Sequence, residues 1–157
     1  MTVTIAPATP DDLDDVLPLF AGYQRFYTGT ARDDDHNRAF LERFARGEAG
    51  RLLVARDEDG TAVGFANLYW TFSSTTAEEH VLLNDLYVSG DVRGGGVGRA
   101  LIDAAAEVAR TRGSRTLSWQ TALDNRTAQR LYERTGATRS VWFDYELGVE
   151  PRPNAGG

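Results

Sequence analysis

Asn84-Asp85-Leu86-Tyr87-Val88-Ser89-Gly90-Asp91-Val92-Arg93-Gly94-Gly95-Gly96-Val97-Gly98-Arg99, followed by ALIDAAAEVARTR to Arg112, is the stretch around which this chain is organised. It continues an apolar run, Val81-Leu82-Leu83 and then Leu86-Tyr87-Val88, with the length and content of a strand. Ser89-Gly90-Asp91 makes a turn. From Ala100 to Ala109 the residues are strong helix formers, with apolar side chains at 97, 101, 104, 105 and 108 on one helical face. Glycines therefore sit where a strand hands over to a helix. The first N–H groups of a helix are unpaired and carry the positive end of its dipole, so they attract anions. Glycines let the backbone approach such an anion closely, and Arg93 and Arg99 add charge. The stretch reads as a phosphate cradle.

Two common cradles do not fit. A P-loop needs a Gly-Lys-Ser/Thr ending, and all seventeen basic residues here are arginine. The dinucleotide fingerprint G-x-G-x-x-G needs a glycine where Leu101 stands. What remains is R-x-x-G-x-G, met by Arg93, Gly96 and Gly98. In this strand–turn–helix setting it resembles the acetyl-CoA pyrophosphate loop of the GNAT superfamily of N-acetyltransferases. A second motif follows in the right order. Asn125, Ala128, Leu131, Tyr132 and Gly136 match that family's N-x-x-A-x-x-L-Y-x-x-x-G. Within the family, the runs LNDLYV, L-x-W-x-T and A-Q-x-L-Y look most like the branch that acetylates small amines, polyamines and histone tails.

Working outward, 157 residues predict one domain, 1–148, able to bury about two-thirds of its unfolded surface, with a flexible tail at 149–157. Hydrophobic content of 41% and charged content of 25% are those of an ordinary globular protein. The absence of cysteine excludes disulfides, thiolate zinc sites and a cysteine nucleophile. His36 and His80 have no paired spacing, so no metal is expected. No apolar run approaches membrane-spanning length and no signal-peptide pattern opens the chain, which predicts a cytoplasmic protein. A net charge of −6 opposes nucleic-acid binding and suits a cationic substrate.

Val3 and Ile5 alternate with threonine in a short strand ending at Pro7. Thr9-Pro10-Asp11-Asp12 starts a helix carrying Leu13, Val16, Leu17, Phe20 and either Tyr23 or Gln24 on one side, in which Pro18 predicts a kink or an early end. A second helix is expected over 35–46, and strands over 51–56 and 62–72 joined by a turn at 57–60. Residues 73–79 read as a loop, 115–121 as a strand, 125–135 as a helix and 140–147 as a last strand. The order β-α-α-β-β-β-α-β-α-β is that of an α/β chain. The resemblance implies the acyl-CoA N-acyltransferase fold of the family, a mixed and mostly antiparallel sheet flanked by helices.

The resemblance also implies the site. The donor is acetyl-CoA; its pantetheine arm pairs with the backbone of Leu86, Tyr87 and Val88, and the Val88 N–H is the candidate oxyanion donor. Arg93, Gly94, Gly95, Gly96, Val97, Gly98 and Arg99 hold the pyrophosphate, with Asn125 and Ala128 on the cofactor arm. Tyr132 carries over as general acid toward the sulfur; a phenol, with a reference pKa of about 10, is protonated at neutral pH and able to donate. Asp85 is the in-strand carboxylate for a base or an amine anchor. In the polyamine branch an acid stands one position earlier, where this chain has Asn84. Glu78 and Glu79 are water-relay alternatives. Tyr23, Tyr27, Trp70, Asp85, Trp119 and Tyr145 are the expected substrate residues, since aromatic faces with acids attract cations. The expectation is direct transfer of acetyl to a primary amine in a ternary complex, by a homodimer helped by the apolar Val141-Trp142-Phe143. The alternatives are aminoglycoside, amino-acid or peptide N-terminal acceptors, or an acyl-CoA sensor without turnover.

Overall fold

A computed structural model describes residues 1–153. Five strands form one sheet in the order β1 (Thr4–Pro7), β2 (Gly50–Arg56), β3 (Ala62–Ser73), β4 (Glu78–Val88) and β5 (Leu117–Ser118). The first four are antiparallel neighbours, and β5 runs parallel to β4 because α3 (Val97–Thr111) carries the chain back across the sheet. The helices α1 (Leu13–Thr28) and α2 (Asp34–Ala45) cover one face, and α3 covers the other. The short α4 (Arg126–Glu133) packs Leu131 and Tyr132 on the α3 side.

Alternation along β2 sorts the two cores. Leu52 and Val54 join Phe65, Phe20 and Leu41 under α1 and α2, while Leu53 and Ala55 join Leu101 and Ala105 under α3. Full burial of each such leucine or phenylalanine is worth roughly 1.5–3 kcal/mol. The two covering helices are also tied by polar atoms. Asn37, buried in α2, exchanges hydrogen bonds with Gln24 of α1 at 2.8 and 2.9 Å.

Four expectations change. Thr9 caps a single 3-10 turn, Pro10–Asp12, and α1 then runs straight through Pro18 to Thr28. Pro18 is exposed and removes one backbone donor, and the buried face of Leu13, Val16, Leu17 and Phe20 outweighs that loss. The loop expected at 73–79 shrinks to a turn, since β3 extends to Ser73 and β4 begins at Glu78. The strand expected over 115–121 is reduced to Leu117–Ser118. The last strand, expected over 140–147, does not form: Val141, Trp142, Phe143, Tyr145 and Leu147 are all exposed, and none of these residues pairs with a described strand edge. Alternating apolar residues make a strand only where a neighbour completes the ladder. Of the tail expected at 149–157, residues 149–153 are exposed and residues 154–157 lie outside the described ones.

Gly50 locks β2 to β3. A Cβ there would sit 1.7 Å from the Leu68 carbonyl oxygen, which cannot retreat without parting the strands. Gly50→Ala is expected to cost about 3 kcal/mol or more, lowering Tm by roughly 2–4 °C per kcal/mol. Gly60→Ala, with φ 83 and open space around it, strains only its own dihedral, about 1–2 kcal/mol. Thermal denaturation of the two variants side by side checks the contrast.

Candidate active site

The site begins where β4 and β5 part. They pair only at Val81↔Leu117 and Leu82↔Ser118, so from Leu83 onward the edge of β4 is open on that side. A bulge sets what the open edge presents. Asn67 pairs with Asp85 but Leu68 with Leu83, leaving Asn84 as the extra residue. The Ser89 N–H donates to the Val63 carbonyl at 2.9 Å, which makes Val88 and Gly64 a non-hydrogen-bonded pair. The backbone groups of Val88, and of Leu86 two residues before, therefore point away from β3 and into the gap, while Tyr87 bonds back to β3. The Val88 carbonyl accepts from Arg93 Nε at 3.1 Å, and its N–H lies on the same open side of β4. Tyr23 and Tyr27 of α1, Leu83, Asn84 and Leu86 of β4, Trp119 and Gln120 beyond β5, and Tyr132 of α4 line this cleft.

At its end lies the glycine turn. Gly94 and Gly96 both have φ 85, the left-handed region that favours glycine, and a side chain at either would meet nothing within 4 Å. The first ladder bond of α3 runs from the Ala100 N–H to the Gly96 carbonyl at 3.0 Å, so the N–H groups of Val97, Gly98 and Arg99 precede the ladder. A Cβ at Gly98 would lie 3.0 Å from Leu131 Cδ2, and its absence lets α4 close on the helix start. Both arginines have other employment. The Arg93 guanidinium lies 5.8 Å from the Phe26 ring centre and 5.7 Å from that of Tyr87. Arg99 pairs with Asp103 at 3.0 Å and donates to the Arg134 carbonyl at 2.9 Å, bracing the two helices. What the turn offers to an anion is thus chiefly backbone amides. Asn125 and Ala128 turn out to be each other's partners: the Asn125 side-chain oxygen caps α4 by accepting the Ala128 N–H at 3.2 Å.

Residues 16–137 match the acetyltransferase (GNAT) family. The chain belongs to that family. An uncharacterized N-acetyltransferase of Bacillus subtilis (strain 168) is 36% identical over 141 residues, 90% of this chain and 93% of that protein. The crystal structure of a probable acetyltransferase superposes with a TM-score of 0.81 at 31% identity, covering 97% of this chain and 100% of the other. The ribosomal-protein-alanine N-acetyltransferase from Brucella melitensis biovar Abortus 2308 does so with a TM-score of 0.76 at 28% identity, covering 94% and 100%. The protein is an N-acetyltransferase. GNAT enzymes generally use acetyl-CoA, and the residues present fit it: an open amide cradle for a pyrophosphate, and beyond it a strand edge with free backbone groups for an amide-containing arm.

In this GNAT chain two phenols of the cleft wall, Tyr132 and Tyr23, and one carboxyl behind the wall, Asp85, have shifted pKa values. Tyr132 packs edge-on to Trp119, ring centres 5.4 Å apart, and burial holds its pKa above that of a free phenol. Asp85 is only 4% exposed. Its Oδ1 accepts from Tyr23 Oη at 2.6 Å and from Asn84 Nδ2 at 2.9 Å, and its Oδ2 from Asn67 Nδ2 at 3.4 Å. Burial raises its pKa, and these three donors offset part of that rise. Burial, and then the Asp85 carboxylate, push Tyr23 far upward.

Asp85 itself does not line the cleft; Tyr23 and Asn84 stand between. Two expected substrate residues stand elsewhere. Trp70 donates to the Gly47 carbonyl at 3.3 Å and packs under the Arg112 guanidinium, 3.9 Å from its ring centre, and Tyr145 is 94% exposed outside the cleft. Glu78 and Glu79 sit at the far end of β4, paired with Arg115 and Arg112. Gln120 is a cleft residue that no sequence signal marked.

A carboxyl whose folded pKa is raised is destabilising when ionised. That penalty is absent below its unfolded pKa, about 3.9, grows as pH climbs to the folded value, and is constant above it. Asp85→Asn keeps an acceptor for Tyr23 and removes the charge. It is expected to raise Tm at pH 7 by about 2–4 °C, on the order of 1 kcal/mol, with the gain vanishing toward pH 4. Melting curves across that range check the sign.

Proposed function

We propose that this N-acetyltransferase moves the acetyl group of acetyl-CoA directly onto a primary amine that enters the cleft between β4 and β5 on the side of Tyr23 and Tyr27. Bound acetyl-CoA would supply the thioester. The observation that carries the reading is that one cleft joins a buried phenol, Tyr132, to the open β4 edge at Leu86, an edge that continues to Val88. The Val88 N–H would hold the carbonyl oxygen as its charge develops. Tyr132, kept protonated by burial, would give its proton to the departing sulfur. Leu86 and Val88 would orient the pantetheine arm through their backbone groups, and the amides of Val97, Gly98 and Arg99 would hold the pyrophosphate. With no cysteine in the chain, the amine would attack without a cysteinyl acetyl-enzyme.

A small, cationic, polyamine-like or lysine-like amine fits best, because Tyr23, Tyr27, Trp119 and Tyr132 give the cleft aromatic faces and the chain carries net charge −6. A peptide N-terminal amine is the second reading, favoured by the half-exposed Phe26 and Tyr27 at the end of α1 and by the likeness to the Brucella enzyme. The cytoplasm, where acetyl-CoA is at hand, is the compartment this reading implies; no described helix is long and apolar enough to cross a membrane. A homodimer is part of the proposal, supported by the exposed apolar segment 141–149.

The test is thiol release from acetyl-CoA against spermidine, diamines, aminoglycosides, amino acids and peptides. Release with one class names the acceptor. A cofactor that raises Tm with no release on any amine would point to a sensor instead. Tyr132→Phe is expected to lower kcat by about 10²-fold or more while leaving acetyl-CoA affinity unchanged. Undiminished turnover removes Tyr132 as the acid.

A further inference from the structure

We infer that the Tyr23 hydroxyl is the route by which the buried Asp85 takes the proton of the acceptor amine. The inference rests on the reading of the cleft as the amine's site, and deepens it. An alkylamine arrives protonated, with a reference pKa of about 10.4, and cannot attack until that proton leaves. Among the described residues that line the cleft there is no carboxylate and no histidine. The nearest acid is Asp85, one hydrogen bond behind the wall, and Tyr23 Oη is both the cleft residue and its 2.6 Å partner.

Three features make the pair a relay instead of a simple brace. First, among the described residues the carboxyl has no cation to satisfy it. The titratable and charged groups around the pair are Tyr27 on α1, Tyr69 on β3, Tyr87 on β4 and Arg43, which acts on Tyr69. None of them bonds Asp85, so an added proton displaces no ion pair. Second, the network is one hydrogen short. Asn67 is fully buried and its Oδ1 has no partner, while its Nδ2 reaches Asp85 Oδ2 only at 3.4 Å. An amide turned about its last torsion offers oxygen where it offered nitrogen, so Asn67 can face the carboxyl in either protonation state. Third, Glu78 and Glu79 are at the far end of β4 and already paired.

The step balances. An N–H bond of the ammonium breaks and its electron pair becomes the nucleophile, while the proton forms a new bond to Tyr23 Oη. The hydroxyl's original O–H bond breaks and its proton joins Asp85 Oδ1. Moving together, the two transfers never leave Tyr23 as phenolate, consistent with the strong upward push on its pKa. The carboxylate becomes a neutral carboxyl, and after the product leaves the proton returns to water by the same path.

The test is the pH dependence of kcat/KM for the amine, in the wild type, Tyr23→Phe, Asp85→Asn and the double variant. Each single variant is expected to lose about 100-fold near neutral pH. The loss should shrink as pH nears the amine's own pKa, because solution then delivers the free base. The double variant should be no worse than either single one, since the two act as a unit. Acetyl-CoA binding, read as the shift in Tm, should be unchanged. A loss equal at every pH, or losses that multiply, would show that the pair only shapes the wall and would overturn the relay. Should Asp85→Asn fail to fold, the pH profile of Tyr23→Phe decides alone. A wild type that acetylates no amine sinks the acceptor reading and the relay with it. An active wild type with a pH-independent loss sinks the relay only.

Discussion

Everything at the site depends on β4 letting go of β5 after two residue pairs. Parallel strands that stayed paired would consume the very N–H and C=O groups that Leu86 and Val88 turn outward. The bulge at Asn84 shifts the faces by one residue, so that Leu83 and Leu86 both pack on the α3 side and Asp85 and Tyr87 turn toward α1. One inserted residue thus opens a backbone edge to the cleft and carries a carboxyl to the opposite face of the sheet. The wide side of the gap is held by α4, whose approach depends on Gly98 having no side chain and on Arg99 bonding the Arg134 carbonyl.

The anion cradle illustrates a second constraint. Arginine at both ends of a glycine run suggests charge directed at phosphate, yet Arg93 stacks over Phe26 and Tyr87 and holds the Val88 carbonyl, and Arg99 braces two helices. Positive potential there comes from the start of α3 and its free amides. The side chains fix the shape of the loop. Arg93 in particular links the cradle to the strand, because the carbonyl it grips belongs to Val88, the last residue of β4.

Much of this was legible in the residues. Period-two and period-3.6 patterns located β2, β3, β4 and α1 to α3, and the two glycine-bearing motifs located the cradle and α4, because each is a local consequence of composition. Tyr132 was singled out by its motif spacing, and it does line the cleft. What was not legible depends on partners distant in sequence. The pattern at 140–147 is that of a strand, but strands are defined by the edge they meet, and no described edge meets this one. Pro18 signals a break, but only tertiary burial reveals that the helix survives it. Trp70 reads as a site residue by composition, and its place under Arg112 is set by β3 register. Asp85 was marked as a carboxylate near the chemistry, whereas its burial behind Tyr23 follows from the bulge, which no local signal announces.

The Tyr132 phenol and the Asp85 carboxyl also share one cause. Tyr132 and Asp85 both have raised pKa values, and for both the leading reason is burial. A site that had placed an arginine or lysine beside Asp85 would have lowered its pKa, made it a poor proton acceptor and occupied the place of a cationic guest. Here the hydrogen-bonding partners are a phenol and two amides, which tether the carboxyl without neutralising it. A buried, uncompensated carboxylate is costly to the fold. An ammonium entering beside Tyr23 would relieve that cost, and the same contact would draw off its proton. Binding the amine and activating it would then have one electrostatic origin, a charge that the described residues leave without a counterion.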